Sequence, residues 1–216
     1  MNYASVRAAI DRGAPADVVP GLTLSLMREI ACGDRDMAAV RHPLGFLCFP
    51  AQRLDGHGVC VHLWAPGVRQ ALTTSPMHAH SWDLTSYVLY GSLRNQRISV
   101  TDAPGSPSHR VFEVRSHGDA DELHATARLV TARPVADSRY GAGAVYLLPA
   151  GEFHATVAPA GEEVATVALS HSHAQGADLA LGPVHMPSHT VTRSRCDAAE
   201  TARAARTIAD RLAAAG

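Results

Sequence analysis

Residues 77–91 read MHAHSWDLTSYVLYG. His78 and His80 lie one residue apart, and a run of β-branched and aromatic residues follows them and ends at Gly91. In a strand, side chains at positions i and i+2 share a face and lie about 7 Å apart along the backbone. The two imidazoles can therefore converge on one metal ion. An ordinary solvated strand edge would show the same alternation, so the rest of the chain must decide between the two.

The composition excludes several function classes. The chain has 216 residues, 46% of them apolar, a formal net charge of −1 and a pI of about 6.9. This balance gives no indication of nucleic acid or an anionic membrane as a partner. All 19 basic residues are arginine. The absence of lysine excludes a lysine Schiff base and a P-loop of the GK[ST] type.

Four cysteines are spread along the chain without a CxxC pair: Cys32, Cys48, Cys60 and Cys196. A zinc ribbon or a redox pair of that type is therefore not indicated. The N-terminus has no apolar signal-peptide core, and no segment approaches the ~20 apolar residues of a membrane span. We expect a soluble cytoplasmic protein with reduced thiols.

From about residue 41, short runs of apolar residues alternate with clusters of Gly, Pro, Asp and Ser. Nine runs are predicted strands: 45–49, 59–65, 85–91, 93–100, 109–115, 124–133, 144–150, 153–159 and 162–171. Helices are predicted over 2–12, 23–32 and 197–216. Many short strands with regular turns indicate an all-β sandwich or barrel. We expect a helical segment at 1–40, a barrel at 41–190 and a C-terminal helix at 191–216.

A third metal ligand is offered by GAVYLLPAGEFH, residues 143–154. A strand ends at Pro149, and the Pro-Ala-Gly turn reverses the chain, with Gly151 available for a positive φ. His154 then opens the next strand and can face back into the barrel. The segment thus supplies a histidine from a distant part of the sequence.

The two segments resemble the paired motifs of the cupins. HAH with its apolar strand and Gly91 resembles the first motif, and G-x5-P-x-G-x2-H resembles the second, with Ala158 in place of its final Asn. The resemblance covers residues 55–171. It implies an all-β, double-stranded β-helix, a jelly-roll-like barrel, with the helices outside and a metal at one mouth.

The first motif usually carries a glutamate ligand seven residues before its glycine, where this chain has Leu84. The resemblance therefore implies a three-histidine site of His78, His80 and His154, similar to that of the thiol dioxygenases. Those enzymes carry a late-strand Tyr near the iron, whereas this chain has His171 and His173 there. If Asp83 turned inward, the site would gain a carboxylate and approach the facial arrangement that holds Fe(II).

Three further residues are predicted to contact a substrate. Tyr90 offers a polar group in an apolar barrel, His62 shares a strand face with Cys60 and Trp64, and Arg94 can anchor a carboxylate. A core histidine and an exposed arginine are the alternatives for His62 and Arg94. Further candidates, each with a structural role as the alternative, are Ser86, Cys60, Trp82, His171 and His173, while His185 and His189 are expected in loops.

The expected function is a metal-dependent enzyme, a mononuclear non-haem Fe(II) dioxygenase acting on a small polar molecule. An isomerase or lyase that uses Zn, Ni or Mn is the alternative, because the ligand set alone does not choose the ion. A non-catalytic cupin that binds a small molecule is a further alternative. The family resemblance also implies a homodimer.

Overall fold

Two antiparallel sheets face each other in the computed structural model, which describes residues 1–68, 74–172 and 176–215. Helices α1 (Tyr3–Asp11) and α2 (Pro15–Cys32) precede them, and α3 (Ala198–Ala215) follows. The strands within the described residues are β1 (Val40–His42), β2 (Phe46–Leu54), β3 (His57–Trp64), β4 (His78–Ala79), β5 (Trp82–Tyr90), β6 (Ser92–Asp102), β7 (His109–His117), β8 (Ala120–Gly141), β9 (Val145–Leu148), β10 (His154–Val157), β11 (Val164–Ser172), β12 (Asp178–Gly182) and β13 (His189–Thr192).

The strand order shows a chain that winds between two sheets. One sheet has the order β1-β2-β3-β11-β5-β9, and the other has the order β13-β8-β6-β10-β4-β12-β7. Strand β7 also pairs with β8, so the second sheet curls back on itself. Strands distant in sequence, such as β3 and β11, are neighbours. The predicted all-β double-stranded β-helix with N-terminal and C-terminal helices is confirmed.

The six-stranded sheet is buried on both faces, which explains its apolar sequence runs. On its outer face, side chains such as Val61, Tyr87 and Val167 form one core cluster with the three helices. Helix α3 contributes Ile208 and Leu212 to this cluster. At about 25 cal/mol per Å² of apolar area removed from water, this layer stabilises the sheet on the side away from the cavity.

The inner face of the same sheet lines the barrel. Side chains alternate along β5, so Trp82, Leu84 and Val88 belong to an inner cluster, whereas Tyr87 and Leu89 belong to the outer one. Alternate side chains of the motif at residues 77–91 therefore point into the cavity.

Several elements extend further than the sequence predicts, such as β2, which was predicted to end at residue 49 and ends at Leu54, and the largest differences are in α2 and β8. Helix α2 begins at Pro15 rather than residue 23 and continues through Pro20. Strand β8 runs to Gly141 rather than residue 133 and passes through Pro134. Arg97 and Ile98 of its partner β6 pair with Ala136 and Pro134, so Val135 of β8 is the extra residue of a bulge beside this proline. A bulge lets a strand continue past a residue that has no N–H group to donate.

Four strands lie outside the predicted set: β1, β4, β12 and β13. Each has five residues or fewer, too few to show a hydrophobic period. Among the described residues, no helix combines the length and the apolar character needed to cross a membrane. The predicted positions His173 and Gly216 lie outside the described residues.

Candidate metal centre

Three histidines from two neighbouring strands meet inside the barrel. His78 lies on β4 directly opposite His154 on β10, and His80 follows β4 on the same side. The ring centroids are 4.2 Å apart for His78 and His154, 4.7 Å for His78 and His80, and 5.2 Å for His80 and His154. One nitrogen from each ring lies within 4.8 Å of the others. The three-histidine group predicted from the paired motifs is present.

Backbone carbonyls orient two of the three rings. His78 Nδ1 lies 2.9 Å from the Pro76 carbonyl oxygen, and His154 Nδ1 lies 3.0 Å from the Glu152 carbonyl oxygen. Because a carbonyl only accepts, each Nδ1 carries the proton and donates it. The Nε2 of each ring then carries the lone pair. Such a hydrogen bond is the usual way in which a protein fixes the tautomer of a metal-ligating histidine.

All three imidazoles are neutral at physiological pH. Burial lowers the pKa of His78, His80 and His154 to about 3 each. Mutual repulsion contributes, because a charge on His80 opposes one on His78, and His154 opposes one on His80. Neutral imidazole is the form that binds a metal, so no proton has to leave before an ion enters.

Hydrogen bonds hold the HAH segment against its neighbours. The carboxylate of Asp178, on β12, accepts from the Ser81 backbone N–H at 2.7 Å and from its hydroxyl at 2.9 Å. The Gly151 N–H, in the turn before His154, donates to the His80 carbonyl oxygen at 2.7 Å. Gly151 has a φ of 78°, which suits a residue without Cβ. The segments that bear the histidines are therefore joined directly.

The donor set fits a divalent ion. Imidazole suits Zn, Cu, Fe and Ni. With metal–nitrogen bonds of about 2.0–2.1 Å, ligand nitrogens lie roughly 3.0–3.4 Å apart, so nitrogens that lie within 4.8 Å of one another would move closer when they bind an ion. No carboxylate joins this group among the described residues. The Asp83 carboxylate instead accepts from the Ala150 N–H at 2.8 Å, and Leu84 lines the cavity at the motif's glutamate position.

The three histidines open into a cavity of about 460 Å³. Aromatic side chains form much of its wall: Phe46, Trp64, Trp82 and Tyr146. Trp82 stacks on His80 with ring centroids 4.0 Å apart. This volume lies within the range that holds a small organic ligand. The cavity therefore combines aromatic side chains with histidines and other polar side chains in its wall.

Tyr146 is the buried hydroxyl of this wall. Burial raises the pKa of Tyr146 to about 12, and the nearby Ser86 hydroxyl acts in the opposite direction. Tyr140 stacks on its ring at a centroid distance of 4.6 Å. The phenol is thus held rigidly, stays protonated at physiological pH, and can donate a hydrogen bond.

The residues predicted to contact substrate do not lie together. His62 lines the cavity, in tilted contact with the Phe46 ring at 4.5 Å. Tyr90 packs against the outer cluster, because a register shift between β5 and β11 falls at this end of the strand. Arg94 forms an exposed two-point ion pair with Asp137 on β8. Tyr90 and Arg94 are therefore not among the described residues that line the cavity.

The other candidate residues from the sequence also divide into those that line the cavity and those that lie outside it. Ser86, Cys60 and Trp82 line the cavity. His171 is exposed, and its Nδ1 lies 2.9 Å from His57 Nε2. His185 is exposed, and His189 opens the edge strand β13, away from the cavity.

Sequence reasoning did not single out three residues of the cavity wall: His42, Cys48 and Tyr146. His42 stacks on Phe46 at 4.4 Å, and burial lowers its pKa well below the ordinary value. It belongs to a three-residue strand outside both motifs, so no local pattern marks it. Tyr146 does have a signal, since it alternates with Leu148 on the strand before the Pro-Ala-Gly turn.

Comparisons with known proteins give likenesses of structure alone. No family model and no curated protein matches the chain. Polyketide cyclase RemF from Streptomyces resistomycificus is similar in structure, with 16% identity, 70% of this chain and 82% of that one covered, and a TM-score of 0.40. A cupin superfamily protein from Desulfitobacterium hafniense has 11% identity, with 59% of this chain and 78% of that one covered and a TM-score of 0.34. Hydroquinone 1,2-dioxygenase from Sphingomonas sp. TTNP3 has 14% identity, with 58% of this chain and 65% of that one covered and a TM-score of 0.32.

Likenesses at this level concern the fold and carry no inference about chemistry. The paired motifs predicted both features of this chain: two antiparallel sheets that exchange strands, and three histidines that meet between them. The chain therefore has a double-stranded β-helix fold with a three-histidine group inside it, as its resemblance to the cupins implies.

Proposed function

We propose that the protein is a metal-dependent cupin-type enzyme that acts on a small polar molecule, with one divalent ion held by His78, His80 and His154. The observation that supports this most strongly is the convergence of three neutral imidazoles inside a cavity of ligand size. Core histidines without a metal role usually direct both ring nitrogens to protein partners. Here two rings give one nitrogen to a backbone carbonyl and leave the other for an ion.

Fe(II) is the ion that we propose, and the reaction class is oxygen insertion or oxidative cleavage. Three neutral ligands would leave the ion its full +2 charge and several open positions, which allow a chelating substrate and O₂ to bind side by side. The absence of a carboxylate from the described group keeps that charge uncompensated. A substrate with an anionic or enolic oxygen is then favoured by simple electrostatics.

The chain's own residues would position the substrate and keep water out. The Phe46 and Trp64 rings, whose centroids are 4.9 Å apart, provide an apolar surface for the carbon skeleton. The Tyr146 hydroxyl would donate a hydrogen bond to a substrate oxygen, because its raised pKa keeps the proton on the phenol. Of the three residues predicted to contact substrate, His62 is the one that faces this space.

The second candidate is an isomerase or lyase with Zn, Ni or Mn at the same histidines. It is favoured by Tyr146 and Ser86, which place two hydroxyl groups in the wall that can hold or pass a proton. A bound Zn, Ni or Mn ion would supply Lewis-acid chemistry there, and Tyr146 or Ser86 would hold or move the proton. Oxygen would not be consumed.

Metal-dependent oxygen uptake separates the two candidates. The metal-free protein would be loaded anaerobically with Fe(II) or with Zn(II), and oxygen consumption would be followed with a panel of small hydroxy acids, catechols and thiols. The dioxygenase proposal predicts uptake with Fe(II) alone and none in His154→Ala. Product formation with Zn(II) and no uptake with Fe(II) would establish the second candidate instead.

The other proposals concern partners and location. We propose a small-molecule substrate as the partner, without nucleic acid or membrane, a homodimer as the assembly, and the cytoplasm as the location. A non-catalytic protein that binds a small molecule would keep the same metal site, and it would show ligand binding with every ion and turnover with none. The four cysteines are free thiols, which suits a reducing compartment.

A further inference from the structure

A second group of metal-binding side chains lies in the wall of the same cavity. Cys48 on β2 is directly opposite His62 on β3, and Cys60 precedes His62 by two residues on the same strand face. One ligand atom from each of the three residues lies within 4.8 Å of the others. All three side chains line the cavity, and both thiols are free. None of them belongs to the three-histidine group.

The register does not favour a disulfide between the two cysteines. Phe49 is opposite Val61, and Pro50 is opposite Cys60, so Cys48 and Cys60 are diagonal neighbours across the two strands. Diagonal Cα atoms in an antiparallel pair are about 7–8 Å apart, whereas disulfides usually need about 4.4–6.8 Å. The two sulfur atoms are therefore close enough to share an ion, while their backbones are too far apart for an unstrained bond.

The hydrogen-bonded pair of cysteines favours one thiolate, at Cys60. The hydrogen bond to Cys60 and burial raise the pKa of Cys48 well above its ordinary value, while Arg53 and Arg193, which line the same cavity, act in the opposite direction. Hydrogen bonds from Cys48 and His62 lower the pKa of Cys60. One thiolate is thus partly stabilised without an ion. A cation of charge +2 would stabilise both thiolates, because a metal-bound thiol is deprotonated outright.

We propose that Cys48, Cys60 and His62 form a second metal site, for a borderline-soft ion of the zinc type, with its fourth coordination position open to the cavity. Two sulfur ligands and one imidazole are a ligand set of catalytic zinc sites, in which a water or substrate completes the tetrahedron. Two thiolates balance the ion's charge, so the occupied site is neutral and its burial is inexpensive. The ligand type also distinguishes it from the three-histidine group, which is left with a net charge of +2.

Both sites would face one substrate space. His62 and His80 are close enough for a charge on one to disfavour a charge on the other. The Phe46 ring lies between His62 and His42, which keeps His42 out of the second group. His62 would then act on a substrate through the bound ion rather than directly. The inference does not depend on which ion the three histidines hold, or on whether they hold one.

Cobalt(II) titration tests this second site, because Co(II) replaces zinc and a sulfur ligand adds an intense near-ultraviolet charge-transfer band. Reduced, metal-free protein should bind two equivalents of Co(II), one of which produces the band. Cys48→Ser and Cys60→Ser should each bind one equivalent and lose the band. His154→Ala should also bind one equivalent and keep the band. Cys32→Ser, at an exposed helix end, is the matched control and should retain both.

Two results would overturn the inference. The first is Co(II) binding to the unaltered protein without the charge-transfer band, which needs no variant to fold. The second is a Cys48–Cys60 disulfide in freshly purified protein, seen by intact mass and peptide mapping. Zinc should remove the band from the unaltered protein stoichiometrically, and a band that resists excess zinc would also contradict a zinc-type site. Failure of the three-histidine proposal would appear separately, as a His154→Ala variant with unchanged metal content.

Discussion

The Asp83 carboxylate accepts a hydrogen bond from the Ala150 backbone N–H at 2.8 Å. This contact joins the strand after the HAH segment to the turn before His154, two parts of the chain 67 residues apart. Asp83, the one carboxylate considered as a further ligand, instead fixes the position of the two segments that carry the histidines. Leu84, next to it, faces the cavity.

Asp83→Ala should loosen the metal site without removing a ligand. A charge-assisted hydrogen bond to a buried backbone group contributes about 1.5–3 kcal/mol, so we expect a loss of that order in unfolding free energy and weaker metal binding. Asp83→Asn keeps an acceptor oxygen and should lose less than half as much. Urea unfolding and metal titration measure the two effects. Equal behaviour of the two variants would argue against a positioning role for the hydrogen bond.

Tyr146→Phe should reduce turnover because it removes the cavity hydroxyl, with a fall in kcat of about 10²-fold if that hydroxyl transfers a proton. Tyr90→Phe is the matched control. The Tyr90 hydroxyl is buried with no hydrogen-bond partner among the described residues, and its ring packs on the outer cluster. The control should keep its activity. A Tyr90→Phe variant as impaired as Tyr146→Phe would indicate that Tyr90 acts on the substrate after all.

Leu84→Glu should add the carboxylate that the first cupin motif normally carries. The Leu84 side chain is buried and faces the cavity, so a glutamate there would meet the ion's positive charge. We expect tighter metal binding and, without metal, a less stable protein with a raised glutamate pKa, because burial disfavours the unpaired charge. Leu84→Gln is the isosteric control and should show no gain in affinity. Identical metal affinity in both variants would contradict the placement of residue 84.

The metal-free protein should lose stability as the pH falls below about 6.5. The pKa of each of His78, His80 and His154 is about 3 in the folded protein, below the ordinary value of 6.5. The unfolded chain therefore binds more protons between these values, and the unfolding free energy falls by about 1.4 kcal/mol per pH unit for each such proton.

Urea unfolding of chelator-treated protein at several pH values measures this slope. His80→Gln removes one of the three titrating groups, so it should lower the slope of unfolding free energy against pH by the contribution of one proton. A slope equal to that of the unaltered protein would mean that His80 is not buried as a neutral ring. Excess divalent metal should raise the unfolding free energy of the unaltered protein, because an ion that binds only the folded state stabilises it.

The HAH alternation and the Pro-Ala-Gly turn offered the three histidines as candidates through local geometry, and the resemblance to the cupins implied that they form one group. The period of two fixes the face shared by His78 and His80, and the turn fixes where His154 begins its strand. The pairing of His78 with His154 then follows from the fold that the paired motifs imply. In this part of the chain, the strand period and the turn predict the same positions for the histidines as the fold shows.

The rest of the cavity wall depended on register, which the sequence did not specify. Strict alternation along β5 would have turned Tyr90 inward, but the register shift beside Ala165 turns it outward. The second metal-binding group depends on Cys48 lying opposite His62, a pairing between two strands that could each have slipped by one residue. Strand β8 was predicted to end before Pro134, because the bulge at Val135 that accommodates this proline has no signal in the local sequence.

Metal stoichiometry tests the central claim most directly. Protein without an affinity tag would be purified in the Cys48→Ser background, where the three histidines are the one described group left to hold an ion, and would be analysed by elemental mass spectrometry beside the same protein with His154→Ala. The account predicts close to one equivalent of a divalent metal, iron for the proposed dioxygenase, and its loss in the second protein. Equal metal content in the two proteins, or no metal in the first even after loading with Fe(II), Zn(II) or Ni(II), would contradict a metal centre at His78, His80 and His154.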